Sequence, residues 1–117
     1  GNFIGAGEYA RIKQLFTSSE PPTAIYATNY HATIGTVIAL HELHLRIPED
    51  VSLIGFDYFD PMDAIEPALT LVEQPIERIA ETAAELMLRR IKGDYSDFPA
   101  MITLNTKMLI RDSVRSL

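Results

Sequence analysis

The chain has 117 residues, the size of one ordinary domain, and at 47% hydrophobic content it can bury a real core, which argues against disorder. Sixteen Asp and Glu against ten Lys and Arg leave a formal net charge of −6, which argues against direct contact of this stretch with nucleic acid or an anionic membrane. The absence of cysteine removes disulfides, thiol catalysis and thiolate metal ligands together, and no apolar run reaches the length of a membrane span.

The chain opens on Gly1-Asn2-Phe3 rather than on methionine, as a piece of a longer protein would. Residues 1–7 are glycine-rich without a period and read as a loop. Over 8–17, Tyr9, Ile12, Leu15 and Phe16 fall on one helical face. Ser18 to Pro22 stop that helix. A short apolar run at 23–27 reads as a buried strand, and 28–31 as its exit loop. The stretch 32–43 predicts the next helix, apolar at Ile34, Val37, Ile38, Leu40 and Leu43. The turn Ile47-Pro48-Glu49-Asp50 then leads into Val51-Ser52-Leu53-Ile54-Gly55-Phe56. This second buried strand is bounded by turn signals on both sides and ends in Asp57.

Residues 58–68 read as a loop holding Pro61 and Pro67, with a short helical turn near 62–65. A strand is expected at 69–72. The longest helix is expected at 76–92, with Ile76, Ile79, Ala80, Ala83, Leu86, Met87 and Ile91 on one face. Pro75 suits its first turn and Gly93 its stop. The segment 101–110 is β-prone and predicts one or two short strands. Strand and helix alternate from residue 8 to residue 92, which predicts an α/β fold with a mainly parallel sheet flanked by helices.

In open α/β sheets, ligands sit in the crevice outside the carboxyl ends of the strands. Asp57 and Asn29 both follow strand tips and are therefore candidate binding residues. A carboxylate accepts hydrogen bonds from ligand hydroxyls or amines, and an amide offers donors and acceptors together. The competing readings are a turn aspartate and a helix N-cap. His31, His41 and His44 lack the further ligands a zinc site needs. The spacing of Asp57, Asp60 and Asp63 lacks the glycine and closing glutamate of a calcium loop. No metal or cofactor is expected. No nucleophile elbow or phosphate-cradling glycine motif is present, so the chain offers no catalytic constellation.

Several segments, in order, resemble the lactose/galactose repressor family of bacterial transcription regulators. The run IPEDVSLIGFD carries the strongest likeness. PTAIYATN at 22–29, the stretch 33–45, Pro67-Ala68-Leu69-Thr70 with Val72 and Gln74-Pro75, and Leu109-Ile110-Arg111-Asp112-Ser113 carry the rest. Gly1-Asn2-Phe3 with Tyr9 adds to them. Tyr30 stands where that family usually has an aspartate, Tyr58 where it has a second acid or amide, and His44 where it has a glycine.

The resemblance implies a type I periplasmic-binding-protein-like fold, two α/β lobes closing on a ligand. Residues 1–75 and 99–117 would form most of the C-terminal lobe, and 76–98 would belong to the N-terminal one. It implies that Phe3 stacks on a sugar-like effector, that Asn29 and Asp57 hydrogen-bond it, and that Gln74 orders the cleft floor at the crossover. It further implies a cytoplasmic homodimer that meets DNA only through a helix-turn-helix outside this chain, and no membrane partner. The helix 32–43 and the loop 61–67 would lie near the dimer surface. Without its N-terminal-lobe partner, the helix 76–92 is expected to fold back onto this lobe or to swap onto a second chain. A sugar-transport solute-binding protein shares this fold and is the alternative. An enzyme, such as a small α/β-hydrolase fragment, would need a nucleophile and base that the sequence does not offer.

Overall fold

The computed structural model describes residues 6–117. Helix α1 (Ala6–Phe16) is followed by strand β1 (Ala24–Tyr26), helix α2 (Tyr30–Glu42), strand β2 (Ser52–Phe56) and strand β3 (Thr70–Glu73). Helix α3 (Ile76–Ile91) and strand β4 (Lys107–Leu109) complete the order, and a single 3₁₀ turn spans Asp60–Ala64. The four strands form one sheet in the order β1-β2-β3-β4. β2 pairs parallel with β1, Ile25 opposite Leu53, and parallel with β3, Gly55 opposite Leu71. The strand that ends in Asp57 is thus interior and flanked by parallel neighbours, not an arm of a hairpin. An α/β fold with this sheet is what the alternation predicts.

An interior parallel strand is largely buried, and β2 places Leu53 in the core. Leu53 packs with Ala27, Met62, Leu69 and Leu71. Val51, just ahead of β2, packs with Ile12 of α1 and with Ala39 and Leu40 of α2. The turn before β2 is closed by Arg46 and Asp50. The Arg46 backbone N–H and Nε both donate to Asp50 Oδ2, at 2.7 and 3.0 Å, and the Asp50 N–H returns to the Arg46 carbonyl. α2 stops at Leu43, and the next residue, His44, takes the left-handed conformation (φ 57°) that glycine adopts most easily at a helix end.

The described residues fall into two compact units. One runs through Glu73 and resumes at Met108–Leu117, and the other is Gln74–Lys107. In the second, Arg89 pairs with Asp94 and Asp97 at 3.0 Å each, and Arg90 lies over the rings of Tyr95 and Phe98. Gly93 (φ 86°) ends α3 as expected. No residue of α3 is buried, and Ile76, Met87 and Ile91 stand 60%, 62% and 73% exposed.

Most boundaries shift by a residue or two from expectation, α2 for instance starting at Tyr30 rather than at 32. Ala6 and Gly7, read as loop, begin α1, while α1 ends one residue early. Of the β-prone segment 101–110 only Lys107–Leu109 is strand, and Met101 and Ile102 are exposed. Strand propensity is realised only where a neighbouring strand is at hand to pair with.

Candidate functional site

Parallel pairing sends β1 and β2 off the same edge of the sheet, and Asn29 and Asp57 follow their tips. The register continues past β1, since the Ala27 N–H donates to the Ile54 carbonyl at 2.9 Å. Asn29 is extended (φ −156°, ψ 170°) and caps α2. Its Oδ1 accepts from the Ala32 N–H at 2.8 Å, and its carbonyl accepts from the Thr33 N–H and the Thr33 hydroxyl. The cap foreseen as the competing reading therefore occupies the side-chain oxygen. The Nδ2 group is the other polar end of this exposed side chain.

Thr33 is a site residue that the sequence did not single out. It is fully buried, donates to the Asn29 carbonyl at 2.8 Å, and accepts from the Phe56 N–H at 3.2 Å. One hydroxyl thus ties the exit of β1 to the last residue of β2. Gly55 makes that approach possible, because a Cβ there would lie 2.5 Å from Thr33 Cγ2 and 2.7 Å from Leu71 Cδ2. The signal was available as a threonine in the first turn of a helix beside a glycine in an interior strand.

Asp57 is half-buried and left-handed (φ 70°), and its N–H donates to the Val72 carbonyl at 2.9 Å. A non-glycine residue in this region costs roughly 1–2 kcal/mol, so its surroundings must impose it. The chain then turns sharply out of the sheet. Tyr58 follows, and its hydroxyl donates to Asp63 Oδ2 at 2.7 Å. Asp63 Oδ1 in turn accepts from Arg111 Nη1 at 2.8 Å. The Tyr58 bond and then the Arg111 bond hold the Asp63 carboxyl below the usual carboxylate range, and the bond to Asp63 raises the Tyr58 phenol.

Gln74 directly follows β3 and opens the second unit, where it is half-buried. Phe3 lies outside the described residues. Among the described residues no group of three or more His, Asp or Glu could hold a metal ion. His41 and His44 are both exposed and line a cleft of about 760 Å³ with Val37, Ile47, Ile65 and Glu66. These residues precede β2 and β3, so that cleft lies at the amino ends of the strands, away from Asn29 and Asp57.

Known proteins with the same features are found at every level of comparison. A family model for a periplasmic binding protein-like domain matches residues 2–114. The HTH-type transcriptional repressor PurR of Yersinia enterocolitica is 36% identical over 114 residues, which is 97% of this chain and 33% of that protein. A LacI family transcriptional regulator from Enterococcus faecalis, solved with bound ribose, is 30% identical with a TM-score of 0.85, over 99% of this chain and 42% of that one. The Lac repressor dimer bound to operator and the anti-inducer ONPF has the same fold, with a TM-score of 0.82 at 21% identity, over 99% of this chain and 40% of that one. The chain spans about a third of the length of the curated relatives it matches.

Proposed function

Because the chain belongs to the periplasmic-binding-protein-like domain family and its relatives are LacI-family and PurR transcription regulators, we propose that it is part of the effector-sensing domain of a DNA-binding transcriptional repressor. The observation that carries this reading is the placement of Asn29 and Asp57 after the tips of adjacent parallel strands, joined through the Thr33 hydroxyl. That edge is where an open α/β sheet offers its strand-end dipoles and side chains to a small molecule. The ribose bound in the Enterococcus faecalis relative supports a sugar or a related small metabolite as effector.

Asp57 accepts from ligand hydroxyls, the Asn29 amide adds its Nδ2 donors, Phe3 stacks on the ligand's apolar face, and Gln74 orders the cleft floor at the crossover. The effector favours one closure state of two lobes over the other, and that difference in affinity shifts the repressor between DNA-bound and released forms. DNA is contacted by a helix-turn-helix outside this chain, in keeping with the chain's net charge of −6. A second copy packs on α2 and the loop 61–67, where Ile38 and Phe59 are exposed beside a shallow cleft of about 230 Å³. The protein acts in the cytoplasm. Its relatives are repressors, which favours this reading over a solute-binding protein of a transport system.

Calorimetric titration of the full-length protein with a panel of sugars that includes D-ribose tests the assignment. At least one sugar binds, and Asp57→Ala weakens that binding at least tenfold. Binding that is indifferent to Asp57→Ala refutes the site.

A further inference from the structure

One guanidinium gathers four parts of the chain behind Asp57. Arg111 comes from the closing segment, after β4. Its Nε donates to the Leu69 carbonyl at 2.6 Å, ahead of β3. Its Nη1 donates to Asp63 in the 3₁₀ turn, and its Cζ lies 5.6 Å from the centre of the Tyr58 ring. Its backbone N–H donates to Thr70 Oγ1 at 2.9 Å, and the next N–H, of Asp112, to the Ala68 carbonyl at 2.9 Å. The Arg111 position is therefore fixed by backbone as well as side chain. Nη2 is buried and makes no hydrogen bond to another described protein group.

The consequence falls on the residue before Tyr58. Asp57 holds a left-handed conformation, uncommon outside glycine, and its N–H bond to the Val72 carbonyl anchors it to the sheet. On the loop side the next residue is held by its hydroxyl on Asp63 and by its ring against Arg111, beside its packing on the core cluster of Leu53 and Met62. Removing the hydroxyl bond or the guanidinium contact loosens the backbone between Asp57 and Tyr58, and with it the aim of the carboxylate.

The geometry points to Arg111 as a positioning residue for the effector site, acting through Asp63 and Tyr58 to fix the backbone at Asp57. This rests on the reading of Asp57 as an effector ligand. Arg111 itself touches no effector. It reaches the ligand only by determining where the Asp57 carboxylate points.

The test uses the full-length protein and two readouts. The first is hydrogen–deuterium exchange of single amides, which needs no ligand. Tyr58→Phe, which keeps the ring and removes only the hydroxyl, and Arg111→Lys each speed exchange of the Asp57 amide at least fivefold. They leave the Leu53 and Thr70 amides of the neighbouring strands within twofold. The double variant Tyr58→Phe with Asp63→Asn is no faster than the worse single one, because the two residues act as one chain. An Asp57 amide unchanged within twofold overturns the proposal, as does acceleration spread equally over Leu53 and Thr70.

The second readout is calorimetric titration with D-ribose. If the parent protein binds it, Tyr58→Phe and Arg111→Lys weaken binding at least fivefold, and unchanged affinity overturns the link to the ligand. Ribose binding untouched by Asp57→Ala overturns the site reading instead, and the exchange rates still decide whether Arg111 fixes Asp57. Absence of ribose binding leaves the exchange result as the deciding one.

Discussion

Ser113 is fully buried near the end of the chain, and its hydroxyl serves two strands at once. It accepts from the Thr70 N–H at 2.8 Å and donates to the Leu53 carbonyl, while its own carbonyl accepts from the Leu53 N–H at 2.9 Å. Ser113→Ala removes the hydroxyl and leaves one buried donor and one buried acceptor unmet, in the middle of β2 and at the start of β3. Each orphaned group costs about 1–3 kcal/mol. A cavity the size of one oxygen adds little, and the second loss is softened because the same strands remain otherwise paired. The expected destabilisation is therefore about 2–4 kcal/mol, a large part of the roughly 5–15 kcal/mol that holds a typical domain folded. Urea unfolding followed by far-ultraviolet circular dichroism measures it. With a slope of about 2 kcal/mol per molar, the midpoint falls by roughly 1–2 M while the slope is unchanged. Ser116→Ala, at an exposed position three residues on, changes stability by less than about 0.5 kcal/mol. A Ser113→Ala midpoint no lower than that of Ser116→Ala would show that the two strand groups do not depend on this hydroxyl.

Gly55→Ala forces a Cβ to within 2.5 Å of Thr33 Cγ2 and 2.7 Å of Leu71 Cδ2, so thermal unfolding should report a loss of about 1–3 kcal/mol. A neutral Gly55→Ala would mean that α2 is free to move off the sheet. Asn29→Ala removes the cap on the Ala32 N–H and costs about 1 kcal/mol, whereas Asn29→Asp keeps an acceptor there and stays within about 0.5 kcal/mol. Because Asn29→Asp also loses the Nδ2 donors, effector affinity should fall for both variants while stability falls for only one. Asp63 has its carboxyl lowered by the Tyr58 and Arg111 bonds, so its contribution is present above the ordinary carboxylate value and lost as pH falls through the lower folded value. The stability advantage of the parent over Asp63→Asn should be flat from about pH 5 to 7 and narrow below about pH 4. An advantage that grows as pH falls would reverse the sign of that linkage.

The order of elements was written in the sequence, because local patterning sets it. The turn Ile47-Pro48-Glu49-Asp50, the β-branched and apolar run behind it, and the helical spacing of 76–92 each appear within a residue or two of where they were expected. Asn29 and Asp57 were legible as strand-end residues for the same reason, since a strand's carboxyl end is a property of the chain direction. That the strands run parallel came from the alternation rule, and the pairing of β2 with β1 and β3 bears it out, whereas the order that puts those two residues after adjacent tips is seen only in the fold.

Tertiary structure alone decided the rest. Thr33 reaches Phe56 across 23 positions, Arg111 reaches Asp63 across 48, and Ser113 reaches Leu53 across 60. No periodicity encodes such pairs, because each depends on where two distant segments come to lie. The same holds for 101–106, whose side chains favour a strand but which had no neighbour to pair with, and for the left-handed backbone of Asp57. That conformation is unfavourable by itself, and it persists because the surrounding fold leaves the aspartate no better one.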